Sequence, residues 1–159
     1  MIFVTLGTND KQFTRLLKAV DKAIDEKVIE DRVVVQAGFT KYESKNMEIF
    51  DTMDRDQFSS FMEGADLIIT HGGVGTIMTA LKERKKILAA ARLQKYHEHV
   101  NDHQIQLLSE FDSEGYLVYM EDLSDISPYI KKIQDFEPKT YQSNQDYFVN
   151  EIKNWIEAH

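Results

Sequence analysis

The chain has 159 residues, no cysteine and a formal net charge of −8, with 42% hydrophobic and 29% charged residues. That length suits one compact domain, and the balance is that of a globular chain rather than a disordered or fibrous one. The acidic excess argues against broad nucleic-acid binding through phosphates, and without cysteine there are no disulfides, thiolate metal sites or cysteine nucleophiles.

No run approaches the roughly 20 apolar residues of a transmembrane helix. The opening MIFVTLGTND lacks the basic segment and small-residue cleavage site of a signal peptide. A cytosolic protein is therefore expected. Residues 2–6 form a short apolar run stopped by Gly7-Thr8-Asn9-Asp10, a buried strand and a turn. Phe13, Leu16, Leu17, Val20 and Ile24 then recur at helical spacing. Residues 32–38 read as a second strand with a glycine exit, and 47–51 as a weaker third. Asp54 is placed to cap a short helix carrying Phe58, Phe61 and Met62, which ends at Gly64.

Residues 66–70 are the next strand, followed by His71-Gly72-Gly73-Val74-Gly75-Thr76 and a helix over about 76–84. Residues 87–91 are a strand of small apolar residues, and the polar segment RLQKYHEHVND follows it. Asn101 or Asp102 is placed to cap a helix with Ile105, Leu107, Leu108 and Phe111, ended by Gly115. A last strand covers 116–120. Ser124 opens a further helix, with Pro128 near its first turn. Residues 137–159 are a polar connector and a final amphipathic helix. Its stripe of Phe148, Ile152, Trp155 and Ile156 serves either to dock on the domain's own sheet or to meet another polypeptide. Strands alternate with helices, and their apolar runs are continuous rather than alternating. The expected fold is a doubly wound, Rossmann-like α/β layer with a parallel sheet covered on both faces. The whole of 1–159 is expected to be one domain, with ligands beyond the carboxyl ends of the strands.

Three loops then carry the chemistry. Gly72, Gly73 and Gly75 sit where a strand turns into a helix. They either free the first helical N–H groups for an anion or merely let helix and sheet approach. The spacing is neither GxGxxG nor a phosphate loop ending in GK[ST]. His71 either donates to a phosphate or sugar hydroxyl or holds the turn through the backbone. Thr8 either offers a ligand its hydroxyl or caps the first helix, and local grounds favour capping. In KYHEHVNDHQ, His99 and His103 are four apart, but the pattern is not HExxH and no metal site is expected. Glu98, Asp102 and Gln104 suit hydrogen bonding to vicinal hydroxyls. Arg92 and Lys95 flank the loop and are placed to balance a diphosphate.

Taken together, MIFVTLGT, ADLIITHGGVGTIMTALK and RLQKYHEHVNDHQ resemble the donor-binding C-terminal half of GT-B glycosyltransferases of the family-28 type, and among them the small subunits of two-part enzymes. The likeness runs from Met1 to about Met120. It implies that Gly72, Gly73, Val74, Gly75 and Thr76 hold a nucleotide diphosphate, and that His71 assists the leaving group. Gly7 and Thr8 would lie in the cleft near the acceptor or the phosphates, and Glu98, His99, Asp102, His103 and Gln104 would face the donor sugar and ribose, with Arg92 also in the donor site. Relatives often place a ribose-binding acidic residue on the helix after the glycines, where this chain has Thr79. The expected activity is inverting, metal-independent hexosyl transfer, without a cofactor, from a UDP-sugar to a lipid-diphosphate-linked sugar in capsule or exopolysaccharide synthesis, galactose being favoured. The expected partner is a membrane-associated subunit resembling the N-terminal half of GT-B enzymes, which would hold this chain at the inner face of the membrane. A non-catalytic enhancer subunit, other donors such as N-acetylglucosamine or glucuronic acid, and a nucleotide-sugar epimerase fragment are the competing expectations.

Overall fold

The computed structural model describes residues 1–141 together with residues 150, 151 and 154. The stripe expected from Phe148, Ile152, Trp155 and Ile156 lies outside the described residues. In chain order the elements are β1 (Ile2–Thr5), α1 (Thr14–Asp25), β2 (Val33–Gln36), β3 (Glu48–Phe50), α2 (Arg55–Gly64) and β4 (Leu67–His71). Then follow α3 (Val74–Lys82), β5 (Lys86–Ala90), a single 3-10 turn at Gln94–Tyr96, α4 (His103–Ser113), β6 (Val118–Tyr119) and α5 (Ser127–Gln134).

The strands form one parallel sheet in the order β3-β2-β1-β4-β5-β6. This is the doubly wound arrangement expected from the continuous apolar runs. Every residue of β1, β2 and β4 is buried, because helices cover both faces. Side chains alternate across the sheet. Ile2, Val4 and Leu6 join Leu16, Leu17 and Val20 of α1 and Ile130 and Ile133 of α5 in one core. Phe3 and Ile68 join Met62 of α2, Ile77 and Leu81 of α3, and Leu108 and Phe111 of α4 in the other.

The chain leaves β1 towards β2 on one side and reaches β4 on the other. The sheet's topological switch therefore lies between β1 and β4, where parallel sheets leave a crevice beyond their carboxyl ends. The loops after residues 6, 70 and 91 gather at this edge.

Several boundaries differ from the sequence reading, each for a local reason. The third helix starts at Val74 rather than 76, because Gly73 takes the extended N-cap conformation and Gly75 enters the first turn. The fifth starts at Ser127 rather than 124. Ser124 is held by Asp122 in a turn of its own, and Asp125 accepts the Ser127 amide at 3.0 Å. Thr8 does not cap α1. Phe13 is the N-cap residue and its amide donates to Thr40 Oγ1 at 3.0 Å. Asp54 caps α2 as expected, accepting the Gln57 amide at 2.8 Å.

Candidate functional site

The β1–α1 turn is built by a glutamine. Gly7 adopts a positive φ of 71°, a conformation that costs glycine little. Gln36, at the end of β2, grips that turn from both sides: its Oε1 accepts the Gly7 amide at 3.2 Å and its Nε2 donates to the Gly7 carbonyl at 3.1 Å. The same Oε1 accepts from Thr5 Oγ1 at 2.7 Å, and Thr70 Oγ1 donates to the Thr5 carbonyl. The ends of β1, β2 and β4 are thus locked together by buried polar groups, which satisfies every one of them.

The glycines after β4 have three separate reasons, and none has a positive φ. A Cβ on Gly73 would meet the His71 ring at 2.5 Å. A Cβ on Gly72 would meet Gln104 at 2.8 Å. A Cβ on Gly75 would meet nothing within 4 Å, so the protein itself does not require that glycine. Gly72 turns its amide to Gln104 Oε1 at 3.2 Å, and the same oxygen accepts the Arg92 amide at 2.9 Å. Gln104 therefore staples the β4 and β5 exits to the start of α4.

Past Gly73, the first amides of α3 have no intrahelical acceptor. This terminus has no side-chain cap and no acidic residue in its first turn. By contrast α2, whose start faces the same edge, carries the carboxylate of Asp54 on its terminus and Asp56 in its first turn. Of the two helix ends, α3 is the one left to accept an outside anion.

His71 ends β4 and is only 7% exposed. Its ring tip lies against Gly7 and Gly73, and its Nδ1 faces Arg92 Nε at 3.4 Å. Burial, then the charge of Arg92, then His99 push its pKa down to about 3, so the imidazole is neutral. Nε2 has no protein partner among the described residues.

A cleft of about 750 Å³ opens at this edge. It is lined by Thr5, Gly7, Thr8, Asn9 and Gln36 from the ends of β1 and β2, and by His71, Gly73, Gly75 and Thr76 from the β4–α3 junction. Met53, Asp54, Arg55 and Phe58 at the start of α2, with His99 and Gln104 from the opposite side, complete it. The structure thus gathers Gly7, Thr8, His71, Gly73, Gly75, Thr76, His99 and Gln104 of the expected set.

The others are engaged elsewhere. Arg92 is fully buried, and its guanidinium donates to the Leu6 carbonyl at 2.8 Å, the Lys11 carbonyl at 2.9 Å and the Glu98 carbonyl at 3.4 Å. It does not lie open to a diphosphate as an exposed cation would. Burial lowers its pKa to about 10, against the charge of Glu98, which raises it. Glu98 is 3% exposed, and its two oxygens hold Arg15 at 2.9 and 3.1 Å and accept the Leu93 amide at 3.0 Å. It is committed to the loop and does not line the cleft. Asp102 accepts the Gln94 amide at 2.8 Å and fixes the loop rather than capping α4 through its side chain, while Asn101 takes the His103 amide at 3.0 Å. His103 is exposed and opens α4, and Val74 packs on the second core. Thr79 turns its hydroxyl back to the Gly75 carbonyl at 2.9 Å.

Gln36, Asn9 and the Met53–Phe58 wall escaped the sequence reading. Asn9 continues the turn after β1, whereas Gln36 and the Met53–Phe58 wall reach the cleft only because β2 lies beside β1 and β3 beside β2. Among the described residues, no group of three or more His, Asp or Glu is placed to hold a metal ion.

Comparison with known proteins agrees with this architecture. The chain is 28% identical over 128 residues to the human protein named UDP-N-acetylglucosamine transferase subunit ALG13, a stretch covering 74% of this chain and 11% of that one. The mouse protein of the same name matches at 28% over 125 residues. The chain thus spans about a tenth of the length of these relatives. Among solved structures, the solution structure of ALG13 superposes with a TM-score of 0.64 at 18% identity, covering 95% of this chain and 93% of that one. Acinetobacter baumannii MurG superposes with a TM-score of 0.60 at 14% identity, covering 99% of this chain and 49% of that one. The glycosyltransferase family 28 C-terminal domain matches residues 1–158, and the chain belongs to that family.

Proposed function

We propose that the chain is the donor-binding part of a glycosyltransferase that takes its sugar from a nucleoside diphosphate, and that it acts with a second polypeptide. The observation that carries this reading is the uncapped start of α3 at the β1–β4 switch point, with the neutral ring of His71 beside it. A diphosphate there would accept from the amides of Val74, Gly75 and Thr76 in the field of the helix dipole. Met53 and Phe58 offer an apolar shelf on the far wall, suited to the base. His99 and Gln104 line the side on which the sugar would extend.

In the reaction an acceptor hydroxyl attacks the anomeric carbon while the nucleoside diphosphate departs. The barrier falls to the extent that charge growing on the departing oxygen meets preorganised donors. The helix terminus and His71 supply them without a metal. A depressed pKa of about 3 makes His71 a poor base, so the proton acceptor for the attacking hydroxyl belongs to another group, which we place on the partner.

The name of the human and mouse relatives favours N-acetylglucosamine as the sugar. Galactose, expected from the resemblance to polysaccharide-synthesis subunits, has no counterpart in those names and becomes the competing arm of the donor test. The word "subunit" in the same name supports a two-part enzyme. We place the pair at the cytoplasmic face of a membrane, attached through the partner and acting on a lipid-linked sugar. No helix among the described residues is long and apolar enough to cross a membrane.

Calorimetry of the purified chain with UDP, with and without EDTA, tests the site. Binding in the micromolar to millimolar range, unchanged by EDTA, is expected, and no heat at millimolar UDP would remove the proposal. Release of UDP from UDP-N-acetylglucosamine and UDP-galactose, with the co-purified second polypeptide and a lipid-diphosphate-linked sugar, then ranks the donors. Full transfer by this chain alone would refute the two-part reading.

A further inference from the structure

Arg92 heads the large side chains that are fully buried among the described residues, and nothing in the proposed chemistry yet uses it. A guanidinium under a loop is costly to bury and is retained only where most of its N–H groups find acceptors, as four of the five do here. Here the acceptors are the Leu6, Lys11 and Glu98 carbonyls and, on Nε, the ring of His71. Phe13 lies 5.1 Å from the guanidinium carbon and closes one face.

We propose that Arg92 is a positioning residue: by donating from Nε to His71 Nδ1, it holds the imidazole in the tautomer whose proton is on Nε2, aimed as a donor into the cleft between Gly7 and Gly73. An arginine Nε–H can only donate, so the nitrogen that receives it must carry a lone pair. With Nδ1 so occupied, the single proton of a neutral ring belongs on Nε2. The guanidinium cannot turn away, because its carbonyl contacts tie it to the loop after β1. The ring cannot swing out either, because Gly7 and Gly73 enclose its tip. Arg92 and His99 both oppose a second proton on the ring, and the carboxylate of Glu98 is engaged by Arg15. A cation hidden below the cleft thus acts on an anion in it through a neutral ring.

This inference rests on the diphosphate reading of the cleft, yet its central claim is open to measurement without activity. Long-range proton–nitrogen NMR of the ¹⁵N-labelled full chain at neutral pH should show His71 with a protonated Nε2 and a bare Nδ1, and UDP should shift Nε2 more than Nδ1. A proton on Nδ1, or an even mixture of tautomers, overturns the proposal even if UDP binds. The expected tautomer with no response to UDP leaves the positioning intact and sinks the diphosphate reading instead. Two substitutions add a readout that a merely structural role would not move. His71→Gln can place an amide donor where Nε2 stood, whereas His71→Asn reaches only as far as Nδ1. UDP affinity should stay within about threefold in H71Q and fall about tenfold in H71N, as expected for losing a hydrogen bond to a charged group. Equal losses in two variants that melt alike would count against the donor role. In Arg92→Lys, which keeps the charge but not the fork, the NMR signature should become a tautomer mixture. An unchanged signature in a folded R92K chain would overturn the role given to Arg92.

Discussion

At the scale of single residues, Gly75 separates what the fold requires from what the ligand requires. A Cβ there meets nothing within 4 Å of protein. Glycine inside a helix costs up to about 1 kcal/mol relative to alanine. Gly75→Ala is therefore expected to raise the unfolding free energy by roughly 0.5 kcal/mol while weakening UDP at least about fivefold, because the new methyl group stands over the helix amides. Denaturant melts and calorimetry on one preparation test both halves. His71 makes a second claim at this scale. Its folded pKa of about 3 lies below the ordinary 6.5, so the unfolded chain takes up the proton more readily. The stability due to the neutral ring is complete above about pH 6.5 and is lost as pH falls towards 3, with a slope approaching 1.4 kcal/mol per unit. Between pH 7 and 5, wild type should lose roughly 2 kcal/mol more than H71Q. Parallel losses in urea melts would show that the buried ring does not resist protonation.

At the scale of elements, two helices point their starts at one cleft and differ in sign. The α2 terminus is capped by Asp54, whereas α3 is bare. Asp54→Ala should cost about 1 kcal/mol of stability through the lost cap. It should also raise UDP affinity by about twofold, because a carboxylate leaves the rim of an anion site. A drop in affinity would mean that Asp54 itself holds the ligand, through a sugar hydroxyl for instance. Much of this arrangement is legible in the sequence. Continuous apolar runs mark buried parallel strands, a parallel sheet places every strand exit on one edge, and the Asp54 cap is local. Gln36, Arg55 and Phe58 are not legible as site residues, because their closeness to Gly7 and Gly73 depends on which strands are neighbours. Arg92 and Glu98 mislead in the opposite direction. In a polar loop they look like free charges, and the partners that bury them, Arg15 and the Leu6 carbonyl, lie 83 and 86 residues away.

At the scale of the whole molecule, the switch point that makes the cleft is also where the two wings of the sheet meet, β1 pairing with β4 from Ile2↔Leu67 to Thr5↔Thr70. The Arg15–Glu98 pair spans it, tying α1 of the first wing to the loop after β5 of the second. Arg15 is also held by the Ala91 carbonyl at 3.2 Å and stacks on Tyr96, its guanidinium carbon 4.6 Å from the ring. Both oxygens of Glu98 are engaged and its side chain is nearly buried, so this pair is worth more than an exposed one. Glu98→Gln keeps the shape but removes the charge and presents a donor to a donor. A loss of about 2 kcal/mol is expected, or a melting temperature lower by roughly 5 °C for a chain of this size. The loss should be uneven. Hydrogen exchange should quicken in residues 92–103 and at the start of α1, where the brace was anchored, and stay slow in β1, β2 and β4. UDP affinity should fall with it, because His99 and Gln104 are carried on that loop and on the helix it leads into. If exchange instead quickened evenly through the sheet, Glu98 would be one more core contact. Strand pairing, the shared cores and the Arg92 contacts to the loop after β1 would then hold the two wings together.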